Sequence, residues 1–175
     1  MLAIAGVRVG NADGPEAPGQ QVQSGERTRA KGAAVEGREA ADFALRSLDG
    51  QNLRLSEFRG EVVLVNFWAT WCSDCREQVT ALDGLYSKYH KAGFVLLSVN
   101  IDDDRERAAD MVRRLKLSYP VLMDERKYVA KLYQLDSLPL TLLMDREGTI
   151  RHVYSGYKMG AEQSYLEQVR DLLKE

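Results

Sequence analysis

Cysteine is scarce in this chain: 175 residues hold two, and histidine is equally rare at two. Two cysteines are too few for the disulfide scaffold of a small secreted domain, so they read as chemical rather than structural. A structural zinc site takes about four ligands. No second cysteine pair exists to supply them, and His90 and His152 lie far from the first pair without ligand spacing. Attachment of c-type haem needs a histidine directly after the second cysteine, where this chain has Arg76. Long apolar runs are missing too; nothing approaches the roughly 20 residues that span a bilayer. An excess of one charge is also lacking. A net charge of −2 gives no broad attraction to nucleic acid or anionic membrane. The apolar start, Met1 to Val7, lacks the basic flank and the length of an export signal; a shortened signal is the alternative.

What is present describes an ordinary soluble domain, with 45% hydrophobic and 29% charged residues. Residues Met1 to Ala41 are rich in Gly, Ala, Gln, Glu and Arg, poor in large apolar side chains, and hold no period of 2 or 3.6. Such a segment cannot offset its ordering entropy, so it reads as a flexible tail, either a linker or a tether to a membrane anchor. Order is expected over 42–175. A short strand at Asp42–Leu45, a turn at Asp49-Gly50 and a second strand near Leu53–Leu55 form a hairpin. One helical turn over Ser56–Gly60 precedes a continuous apolar strand at Val62–Phe67, the pattern of a strand covered on both faces.

Val79, Leu82, Leu85, Tyr86 and Tyr89 then recur at helical spacing between Ser73 and Lys91, and Gly93 closes that helix. Phe94–Ile101 is the next buried strand. Asp102 to Asp104 read as a solvated cap for a helix carrying Ala108, Met111, Val112 and Leu115. A strand at Val121–Met123, a helix at Tyr128–Leu135, a hairpin of Leu140–Met144 with Ile150–Tyr154, and a helix at Gly160–Leu173 complete the chain. The expected fold class is α/β, a mixed sheet flanked by helices. Met111, Met123 and Met144 read as core packing rather than copper ligands.

The two cysteines stand in Trp71-Cys72-Ser73-Asp74-Cys75, where the strand gives way to the helix. A helix N-terminus offers free N–H groups and a positive dipole end, which favour a thiolate at Cys72. Cys75, one turn on, is expected to be buried and protonated until it attacks a mixed disulfide. The chemistry implied is thiol–disulfide exchange.

Val62-Val63-Leu64-Val65-Asn66-Phe67-Trp68-Ala69-Thr70-Trp71-Cys72 resembles the active-site strand of the TlpA/ResA branch of the thioredoxin superfamily. Ala41-Asp42-Phe43 and Leu55-Ser56-Glu57-Phe58-Arg59-Gly60 resemble its N-terminal hairpin, and Leu138-Pro139-Leu140-Thr141 its cis-proline loop. The stretch between Asp102 and Leu132 resembles the helix and strand this branch inserts into the minimal thioredoxin fold. The resemblance implies a thioredoxin-like fold and a disulfide reductase outside the cytoplasm, in the bacterial periplasm or anchored facing it. Its targets would be oxidised cysteine pairs such as those of apocytochrome c, in cytochrome c maturation. It implies no cofactor and no metal, a protein disulfide substrate, a protein electron donor, no nucleic acid, and a monomer. It implies that Pro139 is cis and packs opposite the cysteines, that Leu138 pairs its backbone with substrate, and that Trp71 forms a docking surface.

Several positions depart from those relatives. Asn66 stands where thioredoxins proper carry a buried Asp, and Gln78 where the branch commonly has Glu; neither amide can titrate. Glu77 is one residue away but turned about 100° around the helix. Thr80 replaces a helix-kinking proline, so a straighter helix is expected. Asp74 replaces the frequent proline before the second cysteine. Its carboxylate disfavours a thiolate at Cys72 and competes for the helix dipole, which points toward a reducing protein. The plainer reading of Asp74 is a helix cap. A peroxiredoxin-like peroxidase is the competing function on the same fold, although Thr70 lacks the accompanying proline and spacing. A metal-binding or carrier module is the competing reading from another class.

Overall fold

The computed structural model describes residues 34–175. Seven strands form one sheet in the order β2-β1-β5-β4-β3-β6-β7. They are β1 (Ala44–Ser47), β2 (Asn52–Arg54), β3 (Val62–Trp68), β4 (Phe94–Asn100), β5 (Val121–Met123), β6 (Leu140–Met144) and β7 (Ile150–Ser155). Four α-helices accompany them: α1 (Ser73–Tyr89), α2 (Arg105–Leu115), α3 (Tyr128–Leu132) and α4 (Glu162–Leu172). β3, β4 and β5 run parallel, as the crossovers through α1 and α2 require. β6 and the β1–β2 hairpin join antiparallel. This is the expected mixed α/β sheet with its N-terminal hairpin and inserted αβ unit.

β3 is buried along its whole length and alternates between two cores. Val63, Val65 and Phe67 join one cluster with Phe43, Leu97, Val99, Tyr133 and Leu142, on the face covered by α3. Val62, Leu64 and Trp68 join the other with Val79, Leu82, Leu96, Tyr165 and Val169, on the face covered by α1 and α4. Period-two side chains on a strand sandwiched by helices give this partition directly.

The packed unit begins ahead of Asp42. The Gly37 N–H donates to Ile150 O, the Ala40 N–H donates to Gly148 O, and Ala40 and Ala41 are buried. Backbone pairing with the β6–β7 hairpin, rather than side-chain bulk, holds this stretch, so composition did not reveal it. Residues 1–33 of the expected tail lie outside the described residues. α1 runs unbroken past Thr80, whose hydroxyl donates to Arg76 O at 3.0 Å. α3 spans only Tyr128–Leu132, shorter than the apolar spacing predicts.

Candidate active site

β3 ends at Trp68, and the four residues Ala69–Cys72 carry the chain from the sheet interior into α1. Cys72 is the N-cap of that helix, and its sulfur accepts from the Cys75 N–H at 3.2 Å. The expected cap was Asp74; it lies exposed in the first turn, 3.4 Å from the Ser73 hydroxyl, and caps nothing. The cap position is one residue before the first helical turn, and the sequence puts sulfur there. Cys72 and Cys75 are joined as a disulfide with a Cα–Cα distance of 5.3 Å. Cys72 is half-buried, whereas Cys75 is 0% exposed. Trp71, directly before the pair, is 67% exposed.

The Leu138–Pro139 peptide bond is cis, as the resemblance implies. Leu140 of β6 pairs with Phe67 of β3, so Pro139 continues the register opposite Trp68, at the strand end from which the cysteine loop departs. Pro139 is buried, Leu138 is half-buried, and Leu138 packs against the cluster that includes Cys72 and Cys75. The Gly156 N–H donates to Pro139 O at 2.8 Å and ties the β7–α4 loop to the same end of the sheet.

Beneath the helix lies a neutral network. Asn66 Nδ2 donates to Gln78 Oε1 at 2.6 Å and to Thr141 Oγ1 at 3.2 Å. Gln78 Nε2 donates to Thr141 Oγ1 at 3.0 Å and to the Tyr165 hydroxyl at 2.9 Å. Asn66, Gln78 and Thr141 are fully buried. Burial pushes the Tyr165 phenol up, against the hydrogen bonds it shares with Gln78 and Thr141. The departures at positions 66 and 78 are therefore matched to each other: two amides and two hydroxyls bond one another without a buried charge, and only Asn66 Oδ1 of this group is left without a partner.

One residue of the site was misread from the sequence. Asp104 alone of the acidic run caps α2, accepting from the Glu106 and Arg107 N–H groups. Asp102 instead is 2% exposed. Its carboxylate accepts from the Thr70 N–H at 2.9 Å, the Thr70 hydroxyl at 3.0 Å and Asn100 Nδ2 at 2.8 Å. It anchors the loop that presents Cys72. The only sequence signal was its place directly after a buried strand, where a side chain still faces the sheet end. Met123 and Met144 are core, as expected, but Met111 is only half-buried. Among the described residues, no group of three or more His, Cys, Asp or Glu side chains is arranged to hold a metal ion.

A sheet of this topology, with a Cys-X-X-Cys pair at the start of the helix that leaves an interior strand, defines the thioredoxin-like thiol–disulfide oxidoreductases. Residues 37–153 match the AhpC/TSA family, and the chain belongs to that family. It is 34% identical over 126 residues to the thiol-disulfide oxidoreductase ResA of Geobacillus kaustophilus, covering 72% of each chain. It is 30% identical over 134 residues to ResA of Bacillus thuringiensis, covering 76% of this chain and 78% of that one. The thioredoxin domain of a thiol-disulfide oxidoreductase from Bacteroides vulgatus superposes with a TM-score of 0.69 at 25% identity, over 79% of this chain and 98% of that one. The protein is a thiol–disulfide oxidoreductase, with Cys72 and Cys75 at bonding distance.

Proposed function

We propose that the protein reduces disulfides of extracytoplasmic proteins, with apocytochrome c as one such substrate, through the Cys72–Cys75 dithiol. The observation that carries this reading is the asymmetry of the pair: one sulfur reaches solvent at a helix mouth while the other is sealed behind it. In the reduced protein the Cys72 thiolate attacks one sulfur of the substrate disulfide. That S–S bond breaks, the second substrate sulfur leaves as thiolate, and a mixed disulfide forms. Cys75 loses its proton and attacks Cys72 sulfur, releasing the other substrate thiolate. Two electrons have passed to the substrate, and the protein is left as the disulfide; a protein dithiol donor restores it.

The free N–H groups and dipole of α1 favour the Cys72 thiolate. Asp74, two residues along the same first turn, opposes them and supports a reducing rather than oxidising role. Asn66 and Gln78 cannot take the Cys75 proton, so it goes to Asp74 or to water at the helix mouth. Cis-Pro139 has no N–H to donate, and the backbone of Leu138 beside it is the strand-like edge on which substrate docks. Trp71 supplies the exposed aromatic surface of that dock. Among the described residues no helix is long and apolar enough to cross a membrane; the extracytoplasmic setting and a membrane tether rest on resemblance to ResA.

Trapping decides the assignment. Cys75→Ser is expected to accumulate a mixed disulfide through Cys72 with an oxidised protein substrate, and Cys72→Ser to accumulate none. The reverse pattern would exchange the two roles. Peroxide turnover tests the peroxidase alternative, against which Thr70 already spends its hydroxyl proton on Asp102. Stoichiometric zinc or copper in the purified reduced protein would favour the carrier alternative.

A further inference from the structure

A groove of about 380 Å³ opens beside Trp71, between the start of α1 and one face of α2. Its lining is Thr70, Trp71, Arg76, Arg107, Met111, Arg114 and Leu115. On α2 the contributing positions are 107, 111, 114 and 115, the spacing of a single helical stripe. Three arginines and no acidic side chain line it, in a protein whose net charge is −2. Arg76 and Arg114 make no ion pair among the described residues. Arg107 has only a 3.9 Å contact with Asp104, exposed on both sides. The floor is apolar where Met111 and Leu115 stop short of full burial.

The opposite flank of the cysteine pair carries the other sign. Arg76 and Glu77 are successive residues of α1, so their side chains diverge by about 100°. Glu77 acts on Tyr157 in the β7–α4 loop, and Glu162 accepts from the Tyr157 hydroxyl at 2.7 Å. Burial, helped by that bond, pushes the Tyr157 phenol up, keeping it a neutral donor. Arg76 thus shares the groove with the α2 arginines, whereas Glu77 and Glu162 are grouped around the β7–α4 loop, whose Gly156 N–H donates to Pro139 O.

We propose that this groove binds an acidic segment, with an apolar residue in it, that flanks the reactive cysteine of the protein substrate. The proposal rests on the disulfide-exchange reading and adds the substrate's charge and its direction of docking. Guanidinium groups around an apolar floor, two of them without an ion pair and the third only loosely held, recognise carboxylates by paired N–H bonds while leaving room for an aliphatic side chain. The acidic flank lies over α2, and the carboxylate side of the mouth repels the same flank. The substrate is thus turned so that one of its two sulfurs meets Cys72.

The test uses three oxidised peptides that share one disulfide loop and differ in flank: glutamate-rich, serine-rich or lysine-rich. Second-order rate constants for their reduction by the reduced protein are compared at low and high salt. The acidic peptide is expected to react roughly tenfold faster than the basic one at low ionic strength, with the ratio collapsing toward one in 1 M salt. In R107E/R114E the ratio of acidic to basic rates is expected to invert. That ratio does not depend on the fraction of protein that is folded. R170E/K174E changes the net charge equally at the far end of α4 and keeps the acidic preference. A wild-type ratio near one, a ratio unmoved by R107E/R114E, or equal loss in R170E/K174E would overturn the proposal. If no peptide is reduced at all, the disulfide-exchange reading itself fails.

Discussion

Removing the Asp102 carboxylate tests whether the loop before Cys72 is anchored as described. In Asp102→Ala, the Thr70 N–H and Asn100 Nδ2 lose their acceptor inside the protein, while the Thr70 hydroxyl can rotate elsewhere. Each buried orphan donor costs about 1–3 kcal/mol, so two predict a loss of about 2–6 kcal/mol. That is a large share of the roughly 5–15 kcal/mol that stabilises a typical domain. Asp102→Asn differs in kind. The amide oxygen can still accept from Thr70 and Asn100, and the new NH₂ can donate to Thr70 Oγ1. Only the charge assistance disappears, a cost of about 1–2 kcal/mol. Urea unfolding of the oxidised proteins, compared at constant m-value, measures both. Disulfide-exchange rates should follow the geometry: about tenfold or more lost in the alanine variant as Cys72 drifts, and a small effect in the asparagine variant. An alanine variant within about 1 kcal/mol of wild type, or an asparagine variant as damaged as alanine, would refute the reasoning.

Asp74→Asn removes the carboxylate from the first turn of α1 and is expected to lower the Cys72 thiol pKa, because a like charge beside the thiolate is gone. Thiolate absorbance against pH reads it, and an unchanged or higher value would remove the repulsion argument. Asp42 predicts acid sensitivity at the hairpin. Burial pushes its carboxyl up, but bonds from Arg54 and from the Ser56 N–H and hydroxyl outweigh that and hold it below the usual carboxylate value. A depressed folded pKa contributes stability above the unfolded value, near pH 4, that is lost as pH falls through the folded one. Asp42→Asn should therefore flatten the stability loss below about pH 4, by under about 1 kcal/mol because the pair is more than a third exposed. An unaltered acid profile of the unfolding midpoint would count against it.

The cysteine pair was legible because its chemistry is local. A thiolate at a helix entrance needs only a strand, three linking residues and a capping sulfur, all contiguous from Val62 to Cys75. The strands and long helices were equally legible, since burial on one face or two writes a period into the sequence. The misreadings share a cause. Asp102 looked like surface charge because its partner Thr70 is 32 residues away, and Gly37–Ala41 looked like tail because their partners belong to the distant β6–β7 hairpin.

By itself, the sequence determined the cysteine pair and the layered scaffold that carries it, because both depend on neighbours along the chain. Tertiary structure alone decided what surrounds that pair. It set Gln78 against Tyr165, 87 residues on, and brought the arginines of α2 beside Arg76. Packing distance has no fixed relation to distance along the chain, so charge and polarity that look like solvated surface in one dimension become an anchor, a neutral network and a groove in three.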